Sequence, residues 1–260
     1  MESTPLYDSI GRNYSAGRQE DPCIARAIWS ALGDAESVVN IGAGTGSYEP
    51  RDREVLAIEP SSIMLAQRPR DAAPAIPAFA ERLPLPDASF DAATVILSLH
   101  HWRDVRRGLA ELRRVVRRVA VFFLRDPAFD DSDVWWFPEY FPAASRLARG
   151  WATPVDVIAE ALGPVTTSPV KIPADCRDGF DAAYWRRPEA ILDPDVWRCM
   201  SSLMLMPSRE REAGLSRLRD DLGNGSWHAT WGHLKAKSEL DLGFRVVQFR
   251  LDRSAAAREA

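Results

Sequence analysis

VVNIGAGTGSYEP, residues Val38 to Pro50, is the stretch from which the fold is read. An apolar run stops at a glycine, and Gly42, Gly44 and Gly46 follow at alternate positions. A run apolar on both faces reads as a buried parallel strand rather than a half-exposed one. A glycine-rich turn after such a strand lets backbone N–H groups approach a ligand with no Cβ in the way, and a helix starting there would add positive potential. The spacing is G-x-G-x-G, with Ser47 where the dinucleotide fingerprint wants its third glycine. A nicotinamide nucleotide, another nucleoside cofactor and a bare tight turn all stay open at this point.

Outward from this turn the chain alternates helix and strand signals. Asp21-Pro22 offers an N-cap and a first-turn proline, Ile24, Ala27, Ile28, Ala31 and Leu32 form an apolar stripe, and Gly33 closes a helix over Pro22 to Leu32. Glu54 to Ile58 and Asp91 to Leu99 are further apolar runs. Val105, Leu109, Leu112 and Val116 give Trp102 to Arg118 a helical period, with its arginines on the opposite, solvated face. Val119 to Leu124 closes the series as a strand. The predicted order is helix, strand, helix, strand, irregular crossover, strand, helix, strand, which implies a doubly wound, Rossmann-like α/β sheet. Beyond Arg125 prolines and tryptophans become frequent. Helices are predicted from Thr153-Pro154 to Gly163 and from Asp193-Pro194, with strands over Val165 to Ile172 and Phe244 to Leu251. One domain over 1–260 is expected: a core at about 21–126 completed by strands near 165–172 and 244–251, with lids at about 1–20, 127–163 and 174–240. The tail from Ser254 reads as disordered.

Composition narrows the partners. With 260 residues and 46% hydrophobic content the chain can bury a full core. A net charge of -4 argues against nucleic acid, which requires a basic surface. Cys23, Cys176 and Cys199 lie far apart, so neither a disulfide framework nor a metal site is signalled. The N-terminus MESTPLYDSIGRNYS lacks a leader pattern, and no apolar run approaches the roughly 20 residues of a membrane span. A soluble, cytoplasmic protein with a small-molecule partner is expected, its oligomeric state left open.

The second strand adds a carboxylate. Glu59 stands at its tip, ahead of the turn-forming Pro60-Ser61-Ser62, where it can accept both ribose hydroxyls of a nucleoside; a surface glutamate is the other reading. VVNIGAGTG, LAIEPSSIMLAQ and AERLPLPDASFDAATVILSLHHW, followed by the Arg-rich helix, together resemble the class I S-adenosylmethionine-dependent methyltransferases, in particular the branch similar to ubiquinone- and menaquinone-biosynthesis enzymes, over about residues 7–126. The resemblance implies a mostly parallel, seven-stranded sheet with helical lid insertions, and S-adenosyl-L-methionine laid across its strand ends. It sets Gly42, Ala43, Gly44 and Gly46 under the methionine part, Glu59 on the ribose, and Pro60, Ser61 and Met64 around the adenine. Ala80 and Glu81 match the loop edging the adenine, Leu97 and Ser98 face the methionine and its methyl, and Tyr14 and Arg18 match a lid over the carboxylate. Two positions depart from the pattern: Asn40 stands where an acidic residue is usual, and Phe79 where an acid often meets the adenine amine.

The chemistry so implied is methyl transfer to a small molecule. His100 and His101, after the fourth strand, are the candidate bases, because imidazole accepts a proton near neutral pH; one of them orienting the loop is the structural alternative. SLHHW lacks the proline-aromatic loop typical of enzymes methylating nucleic-acid bases. The tryptophans and phenylalanines of 129–151 and 184–231 read singly as core and together favour an apolar or aromatic substrate. A cyclase or rearrangement catalyst on the same fold, and a non-catalytic cofactor-binding protein, are the alternatives.

Overall fold

The computed structural model describes residue 8 and residues 14–251. The rest of the N-terminal lid stretch and the tail from Ser254 lie outside the described residues. Seven strands form one sheet: β1 (Ser37–Ile41), β2 (Glu54–Ile58), β3 (Ala75–Ile76), β4 (Phe90–Ile96), β5 (Val116–Arg125), β6 (Val165–Pro169) and, after a separate two-stranded ribbon of β7 (Ile172–Pro173) and β8 (Glu239–Leu240), β9 (Phe244–Arg250). Their order is β3-β2-β1-β4-β5-β9-β6. β1 to β5 run parallel, and β9 lies antiparallel between β5 and β6. The chain reverses its direction of winding between β1 and β4, which is where open α/β sheets leave a crevice for ligands.

β5 shows why its residues make a central strand. Val119, Val121 and Phe123 enter the core on one face of the sheet, while Ala120, Phe122 and Leu124 enter the core on the other. Both faces are covered, which a parallel sheet requires. The helices include α1 (Tyr14–Gly17), α2 (Pro22–Leu32), α3 (Ser62–Ala66), α4 (Val105–Val115), α5 (Pro142–Trp151), α6 (Val155–Leu162) and α7 (Ser208–Asn224), of which α2 packs on β5 and β9, α4 on β5 and α6 on β9. α2 has the predicted limits: Asp21 Oδ1 accepts from the Cys23 and Ile24 amides, satisfying two first-turn donors. Of the helices after β5, α6 packs on α4, where Arg106 meets Glu160 at 2.7 Å.

Five local expectations need correction. No helix follows the glycine turn; residues 42–53 run through turns to β2, with Gly42, Gly44, Gly46 and Tyr48 all at positive φ, which an α-helix cannot accommodate. A helix appears only after β2, where the Ser61 hydroxyl caps Met64 N. The third strand has two residues, too few to show a period. β4 stops at Ile96 rather than Leu99 because Leu97 adopts φ 48°, after which Leu99–His101 form a 3-10 turn. α4 spans only Val105–Val115: Asp104 caps its start, and Val116 to Arg118 already belong to β5, where Arg117 meets Asp91 at 3.0 Å. The run Val165 to Ile172 divides between β6 and the ribbon.

Candidate active site

The crevice at the switch point is a cavity of about 280 Å³. It brings together Asn40, Gly42, Ala43 and Gly44 from the end of β1, Glu59, Pro60, Ser61 and Met64 from the end of β2, Ala80 and Glu81, Leu97 and Ser98 from the end of β4, His101, and Tyr14 and Arg18 from the N-terminal segment. Two of the expected residues lie elsewhere. Gly46 sits behind the turn, where a Cβ would meet Arg68 and Glu49 at 3.2 Å. His100 lines a second cavity of about 130 Å³ on the other side of Leu97.

The glycine turn does not offer the free amides that its sequence suggests. Gly42 N and Ala43 N donate to the Ile58 carbonyl at 2.8 and 3.0 Å, Gly46 N to Ala43 O at 2.9 Å, and Gly44 N to Glu59 Oε2 at 2.7 Å. With those four donors spent, Gly42 and Gly44 offer the crevice bare backbone rather than free N–H groups, with Ala43, Thr45 and Ser47 beside them in the lining. Gly42 is required by its surroundings: at φ 73° its missing Cβ would stand 2.6 Å from both Cβ and Oγ of Ser98, whose hydroxyl donates to Ile41 O at 2.9 Å.

Glu59 is buried, 6% exposed. Oε2 takes the Gly44 amide, and Oε1 the Ser61 amide at 2.8 Å. Burial raises its pKa, and the Ser61 and Gly44 amides oppose the rise. Two carboxylate oxygens carry about four acceptor sites, so two remain for hydroxyl donors. Asn40 is committed to a buried network: Nδ2 donates to Glu49 Oε1 at 3.2 Å, and Oδ1 accepts from Thr94 Oγ1 at 3.2 Å. Glu49 in turn holds Arg68 Nη2 with both oxygens at 2.9 Å, and Arg68 reaches Ala73 O. The acid missing at position 40 therefore stands one hydrogen bond behind it, already neutralised.

Arg18 sits where the two cavities meet. Its Nε and Nη2 face the two oxygens of Asp178, and Nη1 donates to the Tyr14 hydroxyl. Tyr48 OH adds a 2.9 Å bond to Asp178, which is 1% exposed. Burial and the neighbouring Asp178 carboxylate push the Tyr48 phenol up, so it stays a donor. Asp178 and Tyr48 carry no signal in the sequence, since the first lies 160 residues from Arg18 and the second follows the glycines without a motif.

The histidine rings pack 3.9 Å apart between centroids. Burial, and then the Arg18 charge, pushes His100 down to about 4; burial and then His100 hold His101 well below the usual imidazole range. Both are neutral at physiological pH. Most of the aromatic residues beyond 127 are core: Trp135, Trp136, Trp185 and Trp227 are at most 2% exposed. Trp135 Nε1 is tied to Asp131 and Trp136 Nε1 to Trp185 O. Trp151 lines the second cavity, with Phe180, Met200 and Phe244.

A sheet wound in this order, with a glycine-rich turn after β1 and an acid at the end of β2, has the arrangement of a nucleoside-cofactor protein of the methyltransferase type. A methyltransferase-domain family profile matches residues 39–124. A crystal structure from Anabaena variabilis, described as a methyltransferase from an antibiotic biosynthesis pathway, is 31% identical with a TM-score of 0.84, covering 90% of this chain and 99% of that one. The chain belongs to the class I S-adenosylmethionine-dependent methyltransferases, and S-adenosylmethionine is its cofactor. Demethylmenaquinone methyltransferases of Deinococcus radiodurans and Thermobifida fusca are 32% and 34% identical over 124 and 122 residues, 43% of this chain in each case. The chain spans about half the length of these curated relatives, 52% of each. Among the described residues no helix is long and apolar enough to cross a membrane.

Proposed function

We propose that this chain transfers the methyl group of S-adenosylmethionine to a small, apolar or aromatic molecule bound in the second cavity. One observation carries this reading: Tyr14, Arg18 and Leu97 line both cavities, so the cofactor crevice opens at the end of β4 onto an apolar compartment. Bound in the crevice, S-adenosylmethionine supplies an electrophilic methyl on a sulfonium sulfur. Glu59 takes the ribose hydroxyls on the acceptor sites that Gly44 and Ser61 leave free. Pro60, Ser61, Met64, Ala80 and Glu81 frame the adenine, and Gly42, Ala43 and Gly44 give the methionine part a wall without side chains. Tyr14 and Arg18, fixed by Asp178, cover its carboxylate end as part of a lid, to which the segments after β5 contribute the far wall. Leu97 and Ser98 bound the point of transfer; Leu97's left-handed backbone is a strain of about 1–3 kcal/mol of the kind that collects at functional sites.

Methyl transfer draws mainly on alignment and on keeping water out. His100, facing the second cavity, receives the proton that an acceptor hydroxyl or amine releases. Its depressed pKa keeps it free to do so and makes it a weak base, so its contribution lies at or below the usual range of about 10²–10⁴-fold. His101, on the crevice side, supports the ring of His100. The test is incubation with methyl-labelled S-adenosylmethionine and a panel of apolar and aromatic acceptors. Label recovered in the small molecule is expected. Acceptor turnover without label, or cofactor binding with no turnover of any acceptor, would replace this reading by a cyclase or by a binding protein.

A further inference from the structure

Among the described residues, one carboxylate lining the second cavity has no ion-pair partner. The cavity lining is largely apolar and aromatic, with Trp151, Phe180 and Phe244 among the walls and the last two rings 4.9 Å apart between centroids. Two guanidinium groups also line it, and each is matched by a carboxylate: Arg18 by Asp178, and Arg125 by Asp131. Arg149, the second cation on Asp131, has a 41% exposed side chain and lies outside the lining. Asp181 differs from both of these acids. Oδ1 accepts from its neighbour's amide, Ala182 N, at 2.8 Å, and Oδ2 accepts from the Ser202 hydroxyl at 3.2 Å. Both partners are neutral, and among the described residues Asp181 forms no ion pair.

A carboxylate with one neutral donor on each oxygen keeps about two acceptor sites. Beside largely apolar and aromatic walls, the free acceptor sites of such a carboxylate are best filled by a cationic donor. Aromatic faces add attraction of the same sign, because the ring quadrupole is negative over the face. His100, on the same wall, makes no hydrogen bond among the described residues and is uncharged near neutrality, so it supplies no cation to Asp181. A protonated amine on an apolar body satisfies the carboxylate and the rings together.

We propose that the second cavity takes its acceptor by a protonated amine held on Asp181, with the apolar or aromatic body of the molecule against Trp151, Phe180 and Phe244. The substrate class is then a small aromatic or apolar amine; this rests on reading the second cavity as the acceptor side of the cofactor crevice. The test is calorimetric titration of the wild-type chain, with and without saturating S-adenosylhomocysteine, using phenethylamine, phenethyl alcohol and hydrocinnamate as probes of one shape and three charges. Phenethylamine is expected to bind at least about ten-fold more tightly than the other two, and Asp181→Asn to remove that preference while leaving S-adenosylhomocysteine affinity unchanged. Equal or tighter binding of the alcohol or the acid, no amine binding at millimolar concentration, or an undiminished preference in Asp181→Asn would overturn the proposal. The three-probe comparison on the wild type stands by itself if the variant folds poorly. Failure of S-adenosylhomocysteine to bind would instead overturn the cofactor-crevice assignment, and the amine titration without it remains readable.

Discussion

Replacing Glu59 with glutamine tests the acid at the end of β2 while keeping its volume. In the native chain its two oxygens take the Gly44 amide at 2.7 Å and the Ser61 amide at 2.8 Å. A glutamine oxygen can keep one of these bonds, as a neutral bond of about 1 kcal/mol instead of a charge-assisted one of about 1.5–3 kcal/mol. The glutamine NH2 then faces the other amide donor to donor, and that bond is lost. Together the two changes cost about 2–5 kcal/mol, mostly in the geometry of the glycine turn. Part of this appears without any ligand, as a lower melting temperature, since the bonds are internal. The ribose hydroxyls lose a charged acceptor as well, so S-adenosylhomocysteine affinity should fall by about 10- to 100-fold, or about 1.4–2.7 kcal/mol. Calorimetry and thermal unfolding on the same preparation separate the two effects. Unchanged stability would refute the internal role assigned to the carboxylate, and unchanged affinity would remove Glu59 from the cofactor site.

Other perturbations follow from the same geometry. His100 has a folded pKa of about 4 against about 6.5 unfolded, so between these values the unfolded chain binds more protons and stability falls as pH drops; the loss reaches about 3 kcal/mol by pH 4, and denaturant titrations should show a shallower acid loss in His100→Gln. Asp178→Ala leaves the Arg18 guanidinium without its buried partner, and should cost about 3–5 kcal/mol in denaturant unfolding and weaken S-adenosylhomocysteine binding; a variant as stable as the parent would show that the pair contributes nothing. Gly42→Ala and Gly33→Ala both place a Cβ at positive φ, but at Gly42 it meets Ser98 at 2.6 Å and at Gly33 nothing within 4 Å. Gly33→Ala should cost about 1–2 kcal/mol, and Gly42→Ala clearly more, with loss of cofactor binding; equal losses would leave the Ser98 contact without effect.

Local signals carried the frame of the sheet, because each is contained in a few adjacent residues. The limits of α2 follow from Asp21, Pro22 and Gly33, and β2 from the apolar run ending at Ile58. The same holds for two tip positions of the site: a residue that directly follows a parallel strand stands at the crevice, so Gly42 and Glu59 were legible from their place in the chain, whereas Leu97, read as interior to a strand running to Leu99, was placed there by the family resemblance. Where local patterns conflicted with pairing, pairing prevailed. Val116 to Arg118 continue a helical period but are drawn into β5 by Val116 pairing with Phe90 on β4 and by the Leu251 amide on Arg118 O, and β3 is too short to announce itself.

The sequence by itself determined the strand-turn units, the acid at the end of β2 and the family to which they belong. Only the tertiary structure decided that four of the turn's amides are spent on Ile58, Ala43 and Glu59, that Trp151 lines a cavity while Trp135, Trp136, Trp185 and Trp227 are core, that Asp178 holds Arg18, and that Asp181 and His100 face a second cavity. The physical reason is range. Capping, periodicity and turn chemistry act over a few residues, whereas the partner of a buried charge or donor is chosen by whichever distant segment the packed sheet brings beside it.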